Sequence, residues 1–233
     1  MSDHTVAAYD KELATLSQSI LEMGGIAEKM LIDAMDALVS MNIERAKSVV
    51  ASDPRLDALQ RQVEEFAILT IARRQPMAVD LREIVAAIRV SADLERVGDL
   101  AKNIAKRTQK LGEARIPRAA IGLKHMSDLA LLQLKNVLDA YATRDIEKAR
   151  TVWERDAELD ALEDSVFRDL LTFMMEDPRN ITFCTHLLFC SKNIERVGDH
   201  ATNIAETTHY LVTGEQLPVD RPKGVTSSVT TGK

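Results

Sequence analysis

The sequence predicts an all-α protein built from two related halves. Its 233 residues are 45% hydrophobic but only 4% aromatic, with six prolines and nine glycines, a composition typical of long helices rather than many short strands. A duplication is the second observation. The segments SADLERVGDLAKNIA and SKNIERVGDHATNIA begin at Ser91 and Ser191, 100 residues apart, and are identical at ten of fifteen positions. A fixed internal repeat indicates duplicated structural units.

A second pair of related segments lies upstream of the first. Residues 43–59 match residues 146–162 at an offset of 103 residues, so a three-residue length difference falls between the two pairs. Length changes usually lie in loops, here at 72–80 and 173–180. We therefore expect two tandem three-helix bundles, over residues 1–112 and 117–213, followed by a flexible tail at 214–233.

In the first half, hydrophobic periodicity predicts a helix from about Thr5 to Met41. A second helix is expected from near Ile43 to about Arg73. We expect an interruption at 52–54, where Asp53 suits an N-cap and Pro54 suits the first helical position. Gln75-Pro76 should end this helix, because proline cannot donate a backbone hydrogen bond and disfavours helix in the residue before it. The third helix should begin at Asp80.

In the second half, Gly and Pro at 112–117 predict the link between the bundles. A fourth helix is expected from about Ala119 to Ala142. The middle helix should run over 145–175 and the last over 180–212. The apolar positions expected to face inward on the fourth helix are Leu123, Met126, Ala130, Leu134, Val137 and Tyr141. Cys184 and Cys190 have neither redox nor zinc-ligand spacing, and we expect both to be buried small side chains.

Charge and motifs exclude several classes of function. A net charge of −6 and a pI near 5.5 disfavour a general nucleic-acid surface, although a local basic patch is compatible with them. The sequence has no run of about 18 apolar residues and no features of a signal peptide, so we expect a cytoplasmic protein. It also lacks a phosphate-binding P-loop and a GxSxG elbow, and we expect no enzymatic activity.

Pairs of acidic residues spaced four apart recur at matched places in both halves. Such pairs project from one helix face and destabilise the helix by roughly 0.2–0.5 kcal/mol unless something offsets the repulsion. If the second and third helices of each half lie side by side, four carboxylates meet in each half. Oxygen ligands of this kind suit Mg²⁺, Mn²⁺ or iron. The candidate metal ligands are Asp53, Asp57, Glu95 and Asp99 in the first half and Asp156, Asp160, Glu195 and Asp199 in the second.

A structural interpretation of the same residues stays open. With 36 acidic residues in the chain, on the order of five such pairs arise by chance. Lys102 and neighbouring cations could form salt bridges with these carboxylates on a solvated face, and Asp53 could serve only as an N-cap. Two classes of function stay open on these residues: a metal-dependent enzyme or metal store built on a helical bundle, and a structural adaptor that binds no metal.

Three blocks resemble the PhoU family: RQPMAVDLR at 74–82, DLERVGD at 93–99 and NIERVGDHATNIAE at 193–206. The resemblance covers about residues 5–213, with both halves in order. It implies two similar three-helix bundles, a homodimer, and metal ions such as Mg, Mn, Fe or Zn on the eight acidic residues named above. Pro54 follows Asp53 but has no counterpart after Asp156, which makes Asp156 the stronger of these two candidates.

The resemblance also implies a function. PhoU proteins are accessory proteins of the bacterial phosphate-specific transport system. They are negative regulators that link the ATPase subunit of the phosphate ABC transporter to a phosphate-sensing histidine kinase. We therefore expect a regulator that acts by protein binding, reaches the membrane only through its partners and binds no nucleic acid.

Overall fold

The structure, a computed structural model, describes residues 2–112 and 120–218. Within these two ranges the chain forms seven α-helices and one short 3₁₀ turn, and no strand, which confirms the all-α prediction. The helices are α1 (Ser2–Ser40), α2 (Ile43–Arg74), α3 (Val79–Leu111), α4 (Ala120–Thr143), α5 (Ile146–Glu154), α6 (Asp156–Glu176) and α7 (Ile181–Thr213), with the 3₁₀ turn at Pro178–Asn180.

The two predicted three-helix bundles are confirmed. Helices α1, α2 and α3 pack together in the first half, and α4 and α7 pack with the α5–α6 pair in the second. Helix α3 also packs against α7, and α1 against α4, so one core of buried residues continues through both halves. The predicted link between the bundles, 112–117, lies outside the described ranges apart from Gly112, and the bundle boundaries stay predictions.

The apolar half of the repeated block builds this shared core. The three apolar positions of the first copy and their counterparts in the second have no exposed surface. All six inward positions predicted on α4 are buried, and Cys184 and Cys190 are buried free thiols, as predicted. The six residues of the repeated block are Leu94, Val97, Ile104, Ile194, Val197 and Ile204.

Helix ends follow the expected signals to within a few residues. Helix α2 ends at Arg74, and Gln75 turns the chain in the left-handed region at φ 49° while its N–H bonds Ile71 O. Gly214 ends α7 with φ 79°. Beyond it, Leu217 packs against the core, so the part of the predicted tail that the structure describes contacts the bundle. Residues 219–233 lie outside the described ranges.

The predicted interruption of α2 at 52–54 is wrong, because the helix runs unbroken through Pro54. Pro54 has no N–H to donate to Val50 O, a loss that typically costs about 3 kcal/mol in a helix interior. Packing on both sides of the proline offsets this cost, since Val49 and Leu56 are buried. Asp53 is buried inside the helix and does not act as an N-cap.

The break occurs instead in the second half, where a single middle helix was predicted. Helix α5 stops at Glu154 and α6 starts at Asp156, with Arg155 between them at φ −91°, ψ 5°. The N–H of Arg155 is shared between Thr151 O and Val152 O. The side-chain amide of Gln133 donates to Arg155 O at 3.1 Å, so a buried polar side chain of α4 satisfies a carbonyl at the break.

Candidate functional site: two acidic clusters

A glycine in each repeat brings the acidic helices close together. A Cβ built on Gly98 would lie 2.3 Å from Leu56 Cδ2, and one built on Gly198 would lie 2.4 Å from Leu159 Cδ2. Both leucines are 1% exposed, so neither moves aside easily. Each glycine therefore lets the leucine of the neighbouring helix pack closely against the helix at the ERVGD block. This packing places the upstream aspartate pair beside the downstream acidic pair in each half.

The first acidic cluster consists of Asp53 and Asp57 on α2 and Glu95 and Asp99 on α3. Lys102 lies among these carboxylates: its Nζ donates to Asp53 Oδ2 at 2.6 Å and also to Asp99 Oδ1. The Lys102 side chain is 18% exposed and that of Asp53 is 9% exposed. Burial alone would lower the pKa of Lys102, but its hydrogen bonds to the two aspartates outweigh this and raise it. The lysine thus supplies an internal cation to the first cluster.

Arg96 contributes little to holding this cluster. It lies 3.5 Å from Glu95 and 3.4 Å from Asp99, with 63% of its side chain exposed. Exposed pairs of this kind are typically worth about 0–1 kcal/mol. The expected salt bridge of Lys102 is therefore confirmed as the principal cationic contact of the cluster.

The second acidic cluster consists of Asp156 and Asp160 on α6 and Glu195 and Asp199 on α7. Thr202 occupies the place of Lys102, and its hydroxyl proton is shared between Gly198 O at 3.0 Å and Asp156 Oδ1 at 3.2 Å. No ammonium group therefore stands at this position.

A lysine reaches the second cluster only from outside. Lys192, half exposed, donates to Glu195 Oε1 at 2.7 Å. The other oxygen of that carboxylate, Glu195 Oε2, is buried and has no hydrogen-bond partner among the described residues. A buried carboxylate oxygen without a donor is costly, and a cation is one group that would satisfy it.

Each cluster contains one carboxyl group whose pKa is raised above its ordinary value. Burial raises the pKa of Glu95, and the negative charges of Asp99 and Asp57 raise it further. Burial likewise raises the pKa of Asp160, with Asp156 and Glu195 adding to the shift. Each cluster therefore contains a carboxylate that holds its proton more tightly than usual, as expected where like charges are close.

The eight predicted ligands do not form ready-made metal sites. Within residues 2–112 and 120–218, no three His, Cys, Asp or Glu side chains are arranged to hold a metal ion. In the first cluster an ammonium already lies between Asp53 and Asp99. The second cluster offers oxygen donors without an internal lysine, so its donor set fits a hard cation better. The metal assignment of these residues stays a prediction.

Gln133 lies beside the second cluster and was not predicted from the sequence. It lies next to Gly198, with its Oε1 3.2 Å from the Cβ built there, at the place that Met30 takes beside Gly98. Its position on an otherwise apolar helix stripe was the available signal. The second half thus has the amide of Gln133 where the first half has the thioether of Met30, and this difference accompanies the helix break at Arg155.

Together, the duplicated three-helix bundles and the paired acidic clusters define a class of internally repeated helical-bundle proteins. The model of the PhoU domain matches residues 20–108 and 123–208, one match in each half. The chain belongs to the PhoU family.

Full-length relatives agree with this assignment. The chain is 58% identical over 221 residues to the phosphate-specific transport system accessory protein PhoU homolog of Rhizobium meliloti, covering 94% of this chain and 93% of the relative. It is 52% identical to the protein of the same description from Caulobacter vibrioides, covering 96% and 97%.

Solved structures share the fold. The crystal structure of PhoU from Pseudomonas aeruginosa superposes with a TM-score of 0.86 at 36% identity, over 89% of this chain and 100% of that one. The phosphate transport system regulatory protein PhoU from Streptococcus pneumoniae gives a TM-score of 0.84 at 28% identity, over 91% and 100%. Across the part of the chain that the structure describes, no helix is both long enough and apolar enough to cross a membrane.

Proposed function

We propose that this protein is a regulatory accessory protein of a phosphate-specific transport system. The observation that carries the proposal is the 58% identity to a protein of that description over 94% of the chain. In this role the protein acts in the cytoplasm as a homodimer. It binds the ATPase subunit of the transporter and a phosphate-sensing histidine kinase, and holds the kinase in its non-signalling state when phosphate is plentiful.

Such a regulator acts by binding and not by turnover. It must bind two states of its partner with different affinity, because a ligand that binds both states equally shifts no equilibrium. Uptake and starvation signalling are then lowered together when the regulator captures the phosphate-replete state of the transporter.

Exposed apolar side chains at the far ends of both bundles support protein binding. Met77, between α2 and α3, is 81% exposed, and Met175, at the end of α6, is 79% exposed. Ile68 on α2 and Leu171 on α6, at matched positions of the two halves, are 62% and 44% exposed. Methionine adapts to different apolar partners, and exposed apolar groups in one region commonly mark interaction surfaces.

Gene deletion tests the regulatory role. We expect phosphate-starvation genes to be expressed in phosphate-rich medium after deletion, and silence of those genes would contradict the proposed role. Complementation with Met77→Glu/Met175→Glu should fail to restore repression and should abolish co-purification with the transporter and kinase. The matched control Val39→Glu, at a 47% exposed position on α1, should restore both.

A second proposed role is cation binding by the second acidic cluster. The buried Glu195 oxygen without a partner and the replacement of Lys102 by Thr202 support it. Asp156, Asp160, Glu195 and Asp199 would hold the ion, with Mg²⁺, Mn²⁺, iron or zinc as candidates. Its positive charge would neutralise the cluster. Metal analysis of the purified protein, compared with a Glu195→Gln variant, tests this role.

A further inference from the structure

A basic groove lies where α3 packs against α7. The groove has a volume of about 450 Å³, and five of its eight lining residues are cationic while none is acidic. This concentration of positive charge stands on a chain whose net charge is −6. The five cations that define the basic groove are Lys106, Arg107 and Lys110 on α3 and Lys192 and Arg196 on α7.

Few of these cations are neutralised by the protein itself. Lys192 pairs with Glu195, whereas the other four form no ion pair with any residue in the two described ranges. Lys106 and Lys110, like Lys192 and Arg196, are four apart on one helix, where like charges repel. The groove therefore carries unbalanced positive charge that a bound anion would neutralise.

Two contacts hold the central arginine in place before any ligand binds. The Arg107 guanidinium stacks on the Phe189 ring at 4.0 Å from its centroid. It also lies 3.4 Å from His186 Nδ1. An arginine fixed in this way loses less side-chain freedom on binding a ligand than a free one does. Burial, together with the charges of Arg107 and Lys110, lowers the pKa of His186, in keeping with a positive field at the groove.

The internal repeat supplies a natural comparison for this groove. Contacts of Arg89 with Tyr210 and of Arg107 with Phe189 show that α3 and α7 run antiparallel. The 100-residue repeat therefore generates an equivalent groove at the other end of their interface, with a volume of about 370 Å³. In that second groove the counterparts of Lys106, Arg107 and Lys110 are Glu206, Thr207 and Tyr210, and residues 216–218 line it as well. The fold thus does not require cations at these positions.

We propose that the basic groove binds oligophosphate anions, meaning ligands with two or more consecutive phosphate groups. One phosphate group carries about 1.5 to 2 negative charges near pH 7, too few to balance cations presented by both helices. Linked phosphates would contact α3 and α7 together. Phe189, which lines the groove and is 50% exposed, offers apolar surface that a nucleoside would contact. Inorganic oligophosphate and nucleoside triphosphate share this chemistry, and the proposal does not rest on the regulatory function.

Isothermal titration calorimetry on the full chain tests the proposal, with EDTA present so that divalent cations do not contribute. The ligands are sodium tripolyphosphate, ATP and orthophosphate, in about 0.05 M salt, where the screening length exceeds 10 Å. We expect tripolyphosphate to bind at least about tenfold more tightly than orthophosphate, and its affinity to fall as salt rises. Equal affinity for ATP and tripolyphosphate identifies the phosphates alone as the ligand, and tighter ATP binding adds a nucleoside contact.

The variant Lys106→Gln/Lys110→Gln changes two exposed side chains and should retain helical content and melting temperature. It should weaken tripolyphosphate binding at least about tenfold. The matched control Lys47→Gln/Arg61→Gln removes the same charge from exposed positions on α2 and should change binding less than about twofold. Equal losses in both variants, unchanged binding in the first, or no binding of tripolyphosphate by the wild type would each overturn the proposal.

Discussion

The first acidic cluster has a largely buried lysine between two of its carboxylates, and the second has a threonine at that place. Lys102 bonds Asp53 and Asp99 in the first half, whereas Thr202, at the matching place in the second, offers Asp156 a hydroxyl. The two clusters have the same carboxylates on equivalent helices of one fold. They differ in the cation beside them: Lys102 bridges two carboxylates of the first cluster, whereas in the second the half-exposed Lys192 contacts Glu195.

Local propensity predicts a break in the middle helix of the first half and a continuous middle helix in the second, and the structure shows the reverse. Helix α2 contains Pro54 and is continuous, while its counterpart has no proline and breaks at Arg155. Burial and the Lys102 bond to Asp53 hold α2 together. At the break, Gln133 satisfies the carbonyl of Arg155. Tertiary contacts therefore override the local signal in both places.

Removing the leucine that docks on each glycine should have the largest effect. Leu56→Ala and Leu159→Ala each delete a side chain that is 1% exposed, and each should lower the free energy of unfolding by about 2–5 kcal/mol. Chemical denaturation measures both, with Leu69→Ala, at a 47% exposed position, as a nearly neutral control. Similar losses in the free energy of unfolding would support equivalent leucine packing in the two halves. A loss in only one variant would contradict that equivalence.

Removing the internal cation should come next. Lys102→Met leaves Asp53 and Asp99 without their ammonium partner and should cost roughly 2–3 kcal/mol near neutral pH. Thr202→Val, its counterpart, removes one hydroxyl hydrogen bond and should cost about 0.5–1.5 kcal/mol. Thermal melts in EDTA compare the two variants. Equal costs would mean that the lysine adds nothing beyond an ordinary hydrogen bond.

Glycine substitutions should have smaller effects of opposite sign. Gly98→Ala places a Cβ 2.3 Å from Leu56 Cδ2, and the overpacking should cost about 1–2 kcal/mol after the gain in helix propensity. Gly25→Ala, where nothing lies within 4 Å of the new Cβ, should stabilise the protein by about 0.5–1 kcal/mol. Urea midpoints of both variants check the signs, and a stabilised Gly98→Ala would contradict close docking.

The smallest expected effect is a dependence of folding stability on pH, to which both clusters contribute. Because the pKa of Glu95 is raised in the folded state, the folded protein holds this proton more tightly than the unfolded chain. The stability contributed by this group is present below its ordinary pKa of 4.5 and is lost as pH rises through the raised value.

Glu95→Gln should therefore become more stable relative to wild type across that pH window, and Asp160→Asn should behave in the same direction. Denaturation at several pH values in EDTA measures the trend. A difference from wild type that stays flat with pH would argue against crowding of the carboxylates.

Much of the fold could be predicted from the sequence because the repeat and the apolar periodicity are visible in short stretches of sequence. The inward residues of α4 and the turn at Gln75-Pro76 are examples. The helix break at Arg155 could not be predicted, since it accompanies a contact from Gln133 on another helix. The acidic residues were found by their spacing, but the effect of Lys102 on them depends on how α3 packs against α2.

The basic groove could not be predicted from the sequence for a related reason. Its cations come from α3 and α7, and they converge only because these helices cross antiparallel at one particular register. Sequence spacing shows that Lys106 and Lys110 share a face, but not that Arg196 lies opposite them.

A cation-dependent melt of two reciprocal variants tests most directly whether one side chain sets the difference between the clusters. Melting temperatures would be compared in Mn²⁺ and in EDTA for wild type, Lys102→Thr and Thr202→Lys. We expect Mn²⁺ to stabilise wild type, Thr202→Lys to abolish this stabilisation, and Lys102→Thr to increase it. An unchanged Mn²⁺ effect in both variants would contradict this expectation.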